Sequence, residues 1–334
     1  MRLNIATDAV RQASLAAKSV QHDLGRVSGL TKDDRSPVTV ADFAAQAIVA
    51  SILRDADGNT PLVGEETSAV LRAPENNALL TLVTETVSAA IGPRSPEDVL
   101  ALLDHGGHDA SAPEYWVLDP VDGTKGFLRG EHFAVALGLV CPGHPTLGVL
   151  GCPNLHVADS QNPEAVDGEG VIVAAEAGQG CATGGMEGPL ASVKRNPCEG
   201  LVRVCTSVEA AHTDHTAVDA AMQALGREWT GVRLDSQAKY GLLARDQADA
   251  YLRLPRTGKR YIERVWDHAA GALVAMESGT TVTDIFGQPL DFGHGRGLEA
   301  NTGVIAAAPE IRAAAITPVS YTHLRAHETC ANLV

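Results

Sequence analysis

The sequence predicts an α+β protein with two lobes. The chain has 334 residues, and 45% of them are hydrophobic, which is enough for a large core that a chain of this length usually divides. Apolar residues recur about every 3.6 positions in 1–24 and 39–53, which predicts helices there. Short runs rich in aromatic and β-branched residues, such as Tyr115 to Leu118, predict buried strands.

The remaining elements follow from the same two patterns. Helices are predicted at 79–91, 215–224, 239–245 and 267–278. Strands are predicted at 61–64, 115–118, 133–140, 146–150, 171–175, 202–206, 232–234, 250–254, 281–283, 289–290 and 303–308. Residues 71–114 otherwise look irregular, and 177–181 look like a turn. We therefore expect an N-terminal lobe at 1–165 and a C-terminal lobe at 166–317.

Composition excludes several classes of function. The formal net charge of −15 argues against binding a nucleic acid polymer, which needs a basic surface, although a small nucleotide can bind in a locally basic pocket. No apolar run approaches the roughly 18–20 residues that span a bilayer, so no membrane partner is expected. The six cysteines form no CxxC pair, and no signal peptide is visible, so a cytoplasmic protein with reduced thiols is predicted. An organellar location is the alternative.

The final segment, PVSYTHLRAHETCANLV, does not continue the pattern that precedes it. It shows neither helical nor strand periodicity and resembles translated adapter sequence. We therefore expect residues 318–334 to be a non-native or disordered tail, without a part in the fold or the site.

The nonapeptide DPVDGTKGF, Asp119 to Phe127, is the strongest functional signal. Asp119 and Asp122 follow a buried strand, and Pro120 is expected to end the hydrogen-bond ladder because it has no N–H to donate. Two carboxylates on one bend repel each other unless a cation lies between them, and a hard divalent cation suits oxygen ligands. The alternative is an acidic turn in which both carboxylates are solvated.

Further carboxylates stand in similar positions. Glu65 and Glu66 follow a predicted strand, Asp267 precedes a predicted helix, and Asp42 lies early in another. Taken singly, Glu65 and Glu66 would lie in a solvated turn and Asp267 would be a helix N-cap. Asp42 would be an acid in the first part of a helix, where it complements the helix dipole. Taken together, they suit hydrolysis of a phosphate ester by two or more metal ions.

Three motifs, in order, resemble a known family. VGEETS (63–68), LDPVDGTKGF (118–127) and WDHAAG (266–271) are similar to the lithium-sensitive, magnesium-dependent phosphatases of the inositol monophosphatase type. SPVTVADFAAQA (36–47), the extension DGTKGFLRG (122–130) and DSQAKYGLLA (235–244) narrow the resemblance to the 3'(2'),5'-bisphosphate nucleotidases. The resemblance covers about residues 1–312. It implies the layered αβαβα sandwich shared with fructose-1,6-bisphosphatase.

The resemblance also implies roles for the acidic residues. Two or three Mg²⁺ ions would be held by Glu65, Asp119, Asp122, Asp267 and the carbonyl of Val121. Glu66 would lie next to these ligands without binding the metal itself. Asp42 and Thr124 would orient and deprotonate the attacking water, with the weakly acidic hydroxyl relaying its proton to the carboxylate. The N–H groups of Gly123 and Thr124 would bind the scissile phosphate.

Substrate choice is predicted from later residues. In the resembled subfamily, the positions of His212, Ser236, Lys239 and Arg253 contact the nucleotide and its second phosphate. Ser236 and Lys239 share a helical face if that segment is helical. A 5'-phosphate needs a cation, which Lys239 or Arg253 can supply, although either could be an ordinary surface residue or an interlobe salt-bridge residue.

The resemblance therefore implies a phosphatase that removes the 3'-phosphate of 3'-phosphoadenosine 5'-phosphate (PAP). The sulfated nucleotide PAPS and inositol 1,4-bisphosphate are further candidate substrates. The alternatives are an inositol monophosphatase, against which DSQAKY and KGFLRG argue, and a nucleotide sensor without catalytic activity. A sensor is expected to lack one of the acids or Thr124, and this chain keeps them all.

Overall fold

The computed structural model describes residues 1–23, 36–58, 60–158, 162–208, 215–255, 261–312 and 316. His212 and the predicted tail at 318–334 lie outside the described residues. No helix within the described ranges is both long and apolar enough to cross a bilayer.

Most elements lie where the sequence predicts them. The helices are α1 (Arg2–His22), α2 (Ser36–Asp57), α3 (Asn77–Ile91), α4 (Pro96–His105), α5 (Thr124–Leu128), α6 (His215–Leu225), α7 (Ala238–Ala244) and α8 (Ala269–Ser278), with a 3₁₀ turn at Pro74–Asn76. The strands are β1 (Leu62–Gly64), β2 (Tyr115–Asp122), β3 (Ala134–Cys141), β4 (His144–Cys152), β5 (Val171–Glu176), β6 (Gly180–Gly185), β7 (Ala191–Val193), β8 (Val202–Thr206), β9 (Trp229–Arg233), β10 (Ala250–Arg253), β11 (Thr281–Thr283) and β12 (Val304–Ala307).

The strands form two sheets. The seven-stranded sheet has the order β1-β2-β3-β4-β5-β6-β7, and β1 runs parallel to β2 while the other pairs are antiparallel. The five-stranded sheet has the order β11-β12-β10-β8-β9, in which β8 runs parallel to both β9 and β10. The chain passes from the first sheet to the second between Val193 and Val202. The lobe boundary at 165/166 stays a prediction.

Helices cover both faces of the first sheet. Trp116 and Leu118 of β2 point into the core beneath α1 and α2, whereas Tyr115 and Val117 point into the core around α7 and α8. Strand side chains alternate between faces, so one strand supplies both cores. The second sheet packs on α7 and α8, and α6 covers its far face through Val218 and Met222. The predicted αβαβα layering is confirmed.

The structure differs from the predicted elements at three places. The stretch taken as irregular contains α4, which starts with a capping box: Asp98 N donates to Ser95 Oγ at 3.1 Å, and Ser95 N donates to the Asp98 carboxylate at 2.9 Å. The turn predicted at 177–181 is present at 177–179. The glycine-rich β6, which was not predicted, follows it and pairs along all of β5, because a glycine that lowers strand propensity does not prevent pairing with an existing edge. Residues 289–290 form no strand.

Candidate active site

A bulge near the end of β2 shapes the DPVD turn. Asp119 pairs with Ala136 and Asp122 with Ala134, so Pro120 and Val121 together oppose one residue of β3. In a regular strand, residues three apart face opposite sides, and the extra residue of a bulge compensates for this odd spacing. The expectation that Pro120 ends the ladder was wrong, because the ladder resumes at Asp122.

Carboxylates from separate elements gather around this bulge. β1 lies parallel to β2 in the sheet, so Glu65 and Glu66 leave β1 at the edge where β2 ends. α2 packs against β2, and the turn before α8 approaches from the other core. The cluster that results, called the acidic cluster below, consists of Asp42, Glu65, Glu66, Asp119, Asp122 and Asp267.

Crowding in the acidic cluster disfavours ionisation. Burial, followed by the charges of Glu65, Asp122 and Asp267, raises the pKa of Asp119 well above its ordinary value. Glu65 is an exposed residue, yet its carboxyl group is surrounded by other acids. Withdrawal from water, followed by the charges of Glu66, Asp267 and Asp122, raises the pKa of Glu65 to about 8.

Burial also raises the pKa values of Asp42 and Asp267. Burial, followed by Glu66 and Glu65, raises the pKa of Asp42 well above its ordinary value. Burial raises the pKa of Asp267 to about 6, against the opposing charges of His268 and Arg253. A site built to bind protons this strongly is also suited to bind cations.

The residues present fit a divalent metal. Asp119 is 3% exposed, and its Oδ1 has no hydrogen-bond partner among the described residues. Buried carboxylate oxygens are normally paired, and a hard cation with oxygen ligands would supply what this atom lacks. The assignment of Glu65, Asp119, Asp122, Asp267 and the Val121 carbonyl as ligands stays a prediction.

The raised pKa values predict how the stability of the metal-free protein depends on pH. The folded-state pKa of Glu65 is about 8, above its ordinary value of 4.5, so its ionisation opposes folding as pH rises toward 8. Between roughly pH 7 and 8.5 the unfolded histidines are already mostly neutral. In EDTA, we expect the Tm to fall by several degrees over this range, measured by differential scanning calorimetry.

Two controls test the origin of this fall. Excess Mg²⁺ should reduce it, because a cation that binds only the folded state stabilises that state. Glu65→Gln should also reduce it, since the variant has no carboxyl group to titrate at this position. A Tm in EDTA that rises or stays constant over this range would contradict the prediction.

An ionic network formed by Arg253, Glu263 and His268 lies beside Asp267. Arg253 Nη2 lies 2.7 Å from Glu263 Oε2 and 3.6 Å from Asp267 Oδ2. His268 Nε2 lies 3.3 Å from Glu263, and its Nδ1 lies 2.9 Å from the Tyr240 hydroxyl. Glu263, Asp267 and His268 come within 4.8 Å of one another, as metal ligands do. The Arg253 guanidinium pairs with both carboxylates of this group, which fixes the orientation of Asp267.

The predicted phosphate turn lies against the predicted substrate segment. Gly123 has φ +91°, and a Cβ added there would come within 2.9 Å of Ser236 Cβ. Ser236 itself has φ +71°, and its Oγ accepts a hydrogen bond from Ala238 N at 3.2 Å. α7 begins only at Ala238, so Ser236 and Lys239 do not share a helical face as the sequence suggested. Tertiary packing brings Ser236 to the turn instead.

Lys239 is a buried cation beside the acidic cluster. It is 3% exposed, its Nζ donates to Leu234 O at 3.2 Å, and it lies 5.1 Å from the centre of the Tyr251 ring. Burial lowers the pKa of Lys239, while Asp122 and Asp235 act to raise it. The alternative that Lys239 is an ordinary surface residue is therefore wrong.

Two residues that were not predicted from the sequence hold the Glu65–Glu66 turn. Gln46 Nε2 donates to Glu66 O at 2.7 Å, and Glu66 N donates to Gln46 Oε1 at 3.0 Å. Gln46 lies one helical turn after Asp42 and so on the same face of α2, a signal that could have been used. Arg296 donates to Gly64 O at 2.7 Å and stacks over Trp266 at 4.7 Å. Nothing in the local sequence points to Arg296.

Two cavities lie away from the acidic cluster. A groove of about 850 Å³ separates α1 from α3, and a second cavity of about 510 Å³ is lined by 109–113, Tyr115, 142–143, 292–293 and Gly295. Neither is lined by the clustered acids. Chemistry, and not cavity size, therefore identifies the candidate active site.

The fold and this site define a class of protein. The model of the inositol monophosphatase family matches residues 2–316, and the chain belongs to that family. The family is metal-dependent. A solved structure of CysQ from Bacteroides thetaiotaomicron, a bacterial member of the inositol monophosphatase family, has the same fold, with a TM-score of 0.61 and 20% identity over 92% of this chain and 97% of that chain.

Relatives with higher sequence identity have a more specific name. A 3'(2'),5'-bisphosphate nucleotidase of Schizosaccharomyces pombe is 41% identical over 91% of this chain and 90% of its own length. A 3'(2'),5'-bisphosphate nucleotidase of Emericella nidulans is 39% identical over 94% of this chain and 96% of its own length. The resemblance to this group is confirmed.

Proposed function

We propose that this chain is a magnesium-dependent 3'(2'),5'-bisphosphate nucleotidase that hydrolyses the 3'-phosphate of PAP to give AMP and phosphate. The observation that carries the proposal is the contact between Gly123 and Ser236. It joins the turn that follows the acidic cluster to the segment that carries Lys239. A site for one phosphate, rich in carboxylates, therefore adjoins a cation suited to a second phosphate.

The acidic cluster would hold two or three Mg²⁺ ions through Glu65, Asp119, Asp122, Asp267 and the Val121 carbonyl. When bound, the cations supply positive charge that polarises the phosphoryl group and makes a neighbouring water more acidic. The high pKa of Glu65 in the metal-free protein means that binding at neutral pH releases protons.

Asp42 and Thr124 would orient the attacking water and remove its proton. The Thr124 hydroxyl accepts a hydrogen bond from the water and donates its own proton toward the Asp42 carboxylate. α2 and α5 pack against each other, which supports this pairing. The N–H groups of Gly123 and Thr124 would bind the phosphoryl oxygens.

The nucleotide would be held by Ser236, Lys239 and Arg253, with His212 as the fourth predicted contact. Lys239 is the best-supported of these, because a buried ammonium with a lowered pKa gains from an anion placed beside it. Arg253 is held by Glu263 and can present its remaining N–H groups to a phosphate. PAPS, which has the same 3'-phosphate, is a second substrate of this proposal. Inositol 1,4-bisphosphate would be a third.

Phosphate release from PAP and from inositol 1-phosphate tests the proposal. Each substrate is assayed with Mg²⁺, with Mg²⁺ plus millimolar Li⁺, and with EDTA. We expect release from PAP that requires Mg²⁺, is inhibited by Li⁺ and is much faster than release from inositol 1-phosphate. Preference for inositol 1-phosphate would replace the substrate assignment with that of an inositol monophosphatase. Tight binding of PAP without release would indicate a sensor.

A further inference from the structure

Gln237 is a buried residue at the junction of three segments. It is 2% exposed and immediately precedes α7. Its backbone N–H donates to Asp122 Oδ2 at 2.6 Å. Its side-chain Nε2 donates to Trp266 O at 2.8 Å, and its Oε1 accepts from Gly271 N at 3.0 Å.

The side-chain amide brackets Asp267. Trp266 O is the carbonyl directly before Asp267, and Gly271 N belongs to the first turn of α8. The first N–H groups of a helix have no partner within the helix, and the N-cap residue His268 makes no side-chain capping bond. Gln237 therefore caps α8 from another segment and holds the turn that carries Asp267.

We infer that Gln237 is a positioning residue that holds Asp122 and Asp267 in a fixed relation to each other. It also ties them to the substrate segment, because Ser236 precedes it and Lys239 follows two positions later. The inference rests on the proposed function in one respect, namely that Asp122 and Asp267 hold the metal.

The effect of losing the side chain follows from its hydrogen bonds. An apolar replacement removes the partner of Trp266 O and of Gly271 N, and buried backbone groups shift to find other partners. The turn bearing Asp267 would move with them. The backbone N–H to Asp122 is present in every variant, so substitution tests the hold on Asp267 specifically.

Mn²⁺ binding measured by electron paramagnetic resonance tests the inference without relying on activity. Gln237→Met keeps the length of the side chain and removes both of its hydrogen bonds. Gln237→Asn keeps the amide but is too short to reach both partners, and it serves if the methionine variant does not fold. Gln247→Met is the matched control, because Gln247 is also buried, at 8% exposed, and its Oε1 has no partner among the described residues.

We expect Mn²⁺ affinity to fall by about 10–100-fold in both Gln237 variants, as for other residues that orient metal ligands. Turnover of PAP should recover toward the wild-type value at saturating Mg²⁺. The Gln247 control should bind Mn²⁺ like wild type. A purely structural role would lower the Tm in EDTA but leave the affinity unchanged.

Mn²⁺ affinity within about twofold of wild type in a folded Gln237 variant would overturn the inference, since orienting residues have larger effects. Failure of the wild type to bind Mn²⁺ would overturn the metal-dependent function, and the inference with it. Weaker Mn²⁺ binding by the variants of a wild type that binds Mn²⁺ but does not hydrolyse PAP would support the inference and contradict the proposed substrate.

Discussion

Asp122→Asn is expected to reduce turnover of PAP by about a thousandfold or more, because charge stabilisation by bound metal supplies several kcal/mol. The substitution preserves shape and removes one negative charge from the proposed ligands. The reduction should appear in kcat and in the Mg²⁺ concentration required for half-maximal activity. Steady-state kinetics over a range of Mg²⁺ concentrations would measure both.

The fold should survive this substitution. Asp122 raises the pKa values of Asp119, Glu65 and Asp267, so removing its charge relieves repulsion in the metal-free protein. We expect the Tm in EDTA to equal or exceed that of wild type. Asp219→Asn, at an exposed position in α6, is the control and should be fully active. Activity of Asp122→Asn within a few-fold of wild type would refute the metal role.

Asp42→Asn is expected to lower kcat by about 10²–10⁴-fold, which is the range for loss of a general base. Asp42 is proposed to take a proton and not to hold metal, so Mn²⁺ affinity should change little. The two substitutions thus separate the roles: Asp122→Asn loses metal binding, whereas Asp42→Asn keeps it and loses turnover. Mn²⁺ binding and kcat, measured on the same preparations, give the comparison.

Asp55→Asn is the matched control for Asp42→Asn. Asp55 lies on the same helix with its side chain 64% exposed, and its ion pair with Arg54 is a surface pair of little energetic weight. We expect wild-type kcat for this control. A strong loss of Mn²⁺ affinity in Asp42→Asn would instead place Asp42 among the metal ligands.

Local sequence predicted the main helices and strands well where one periodicity dominates. α1 buries one apolar face, α2 is buried on all sides from Phe43 to Ser51, and β2 begins with the apolar run Tyr115 to Leu118, as β3 is apolar almost throughout. The failures were elements whose signal is not periodic. The start of α4 is marked by the capping box at Ser95, and β6 is recognisable only by its pairing with β5.

For the candidate site too, local sequence predicted one part and contacts between distant residues determined the other. The identities of the acids and their order along the chain are local information, so the sequence alone pointed to Asp119, Asp122, Glu65 and Asp267. Their convergence depends on β1 lying parallel to β2, on the bulge in β2, and on α8 packing across the sheet. These are contacts between residues far apart in the chain.

The sequence by itself determined the class of chemistry and the residues to test. Only the tertiary structure decided how those residues are held. Gln46, Gln237 and Arg296 act through bonds to backbone groups of distant segments, and an amide or guanidinium that bonds to a backbone leaves no pattern in the neighbouring sequence. Lys239 is a candidate phosphate ligand from the sequence, but its burial and its proximity to Asp122 are evident only in the structure. Burial and long-range hydrogen bonds are properties of the folded chain, which is why the sequence could not supply them.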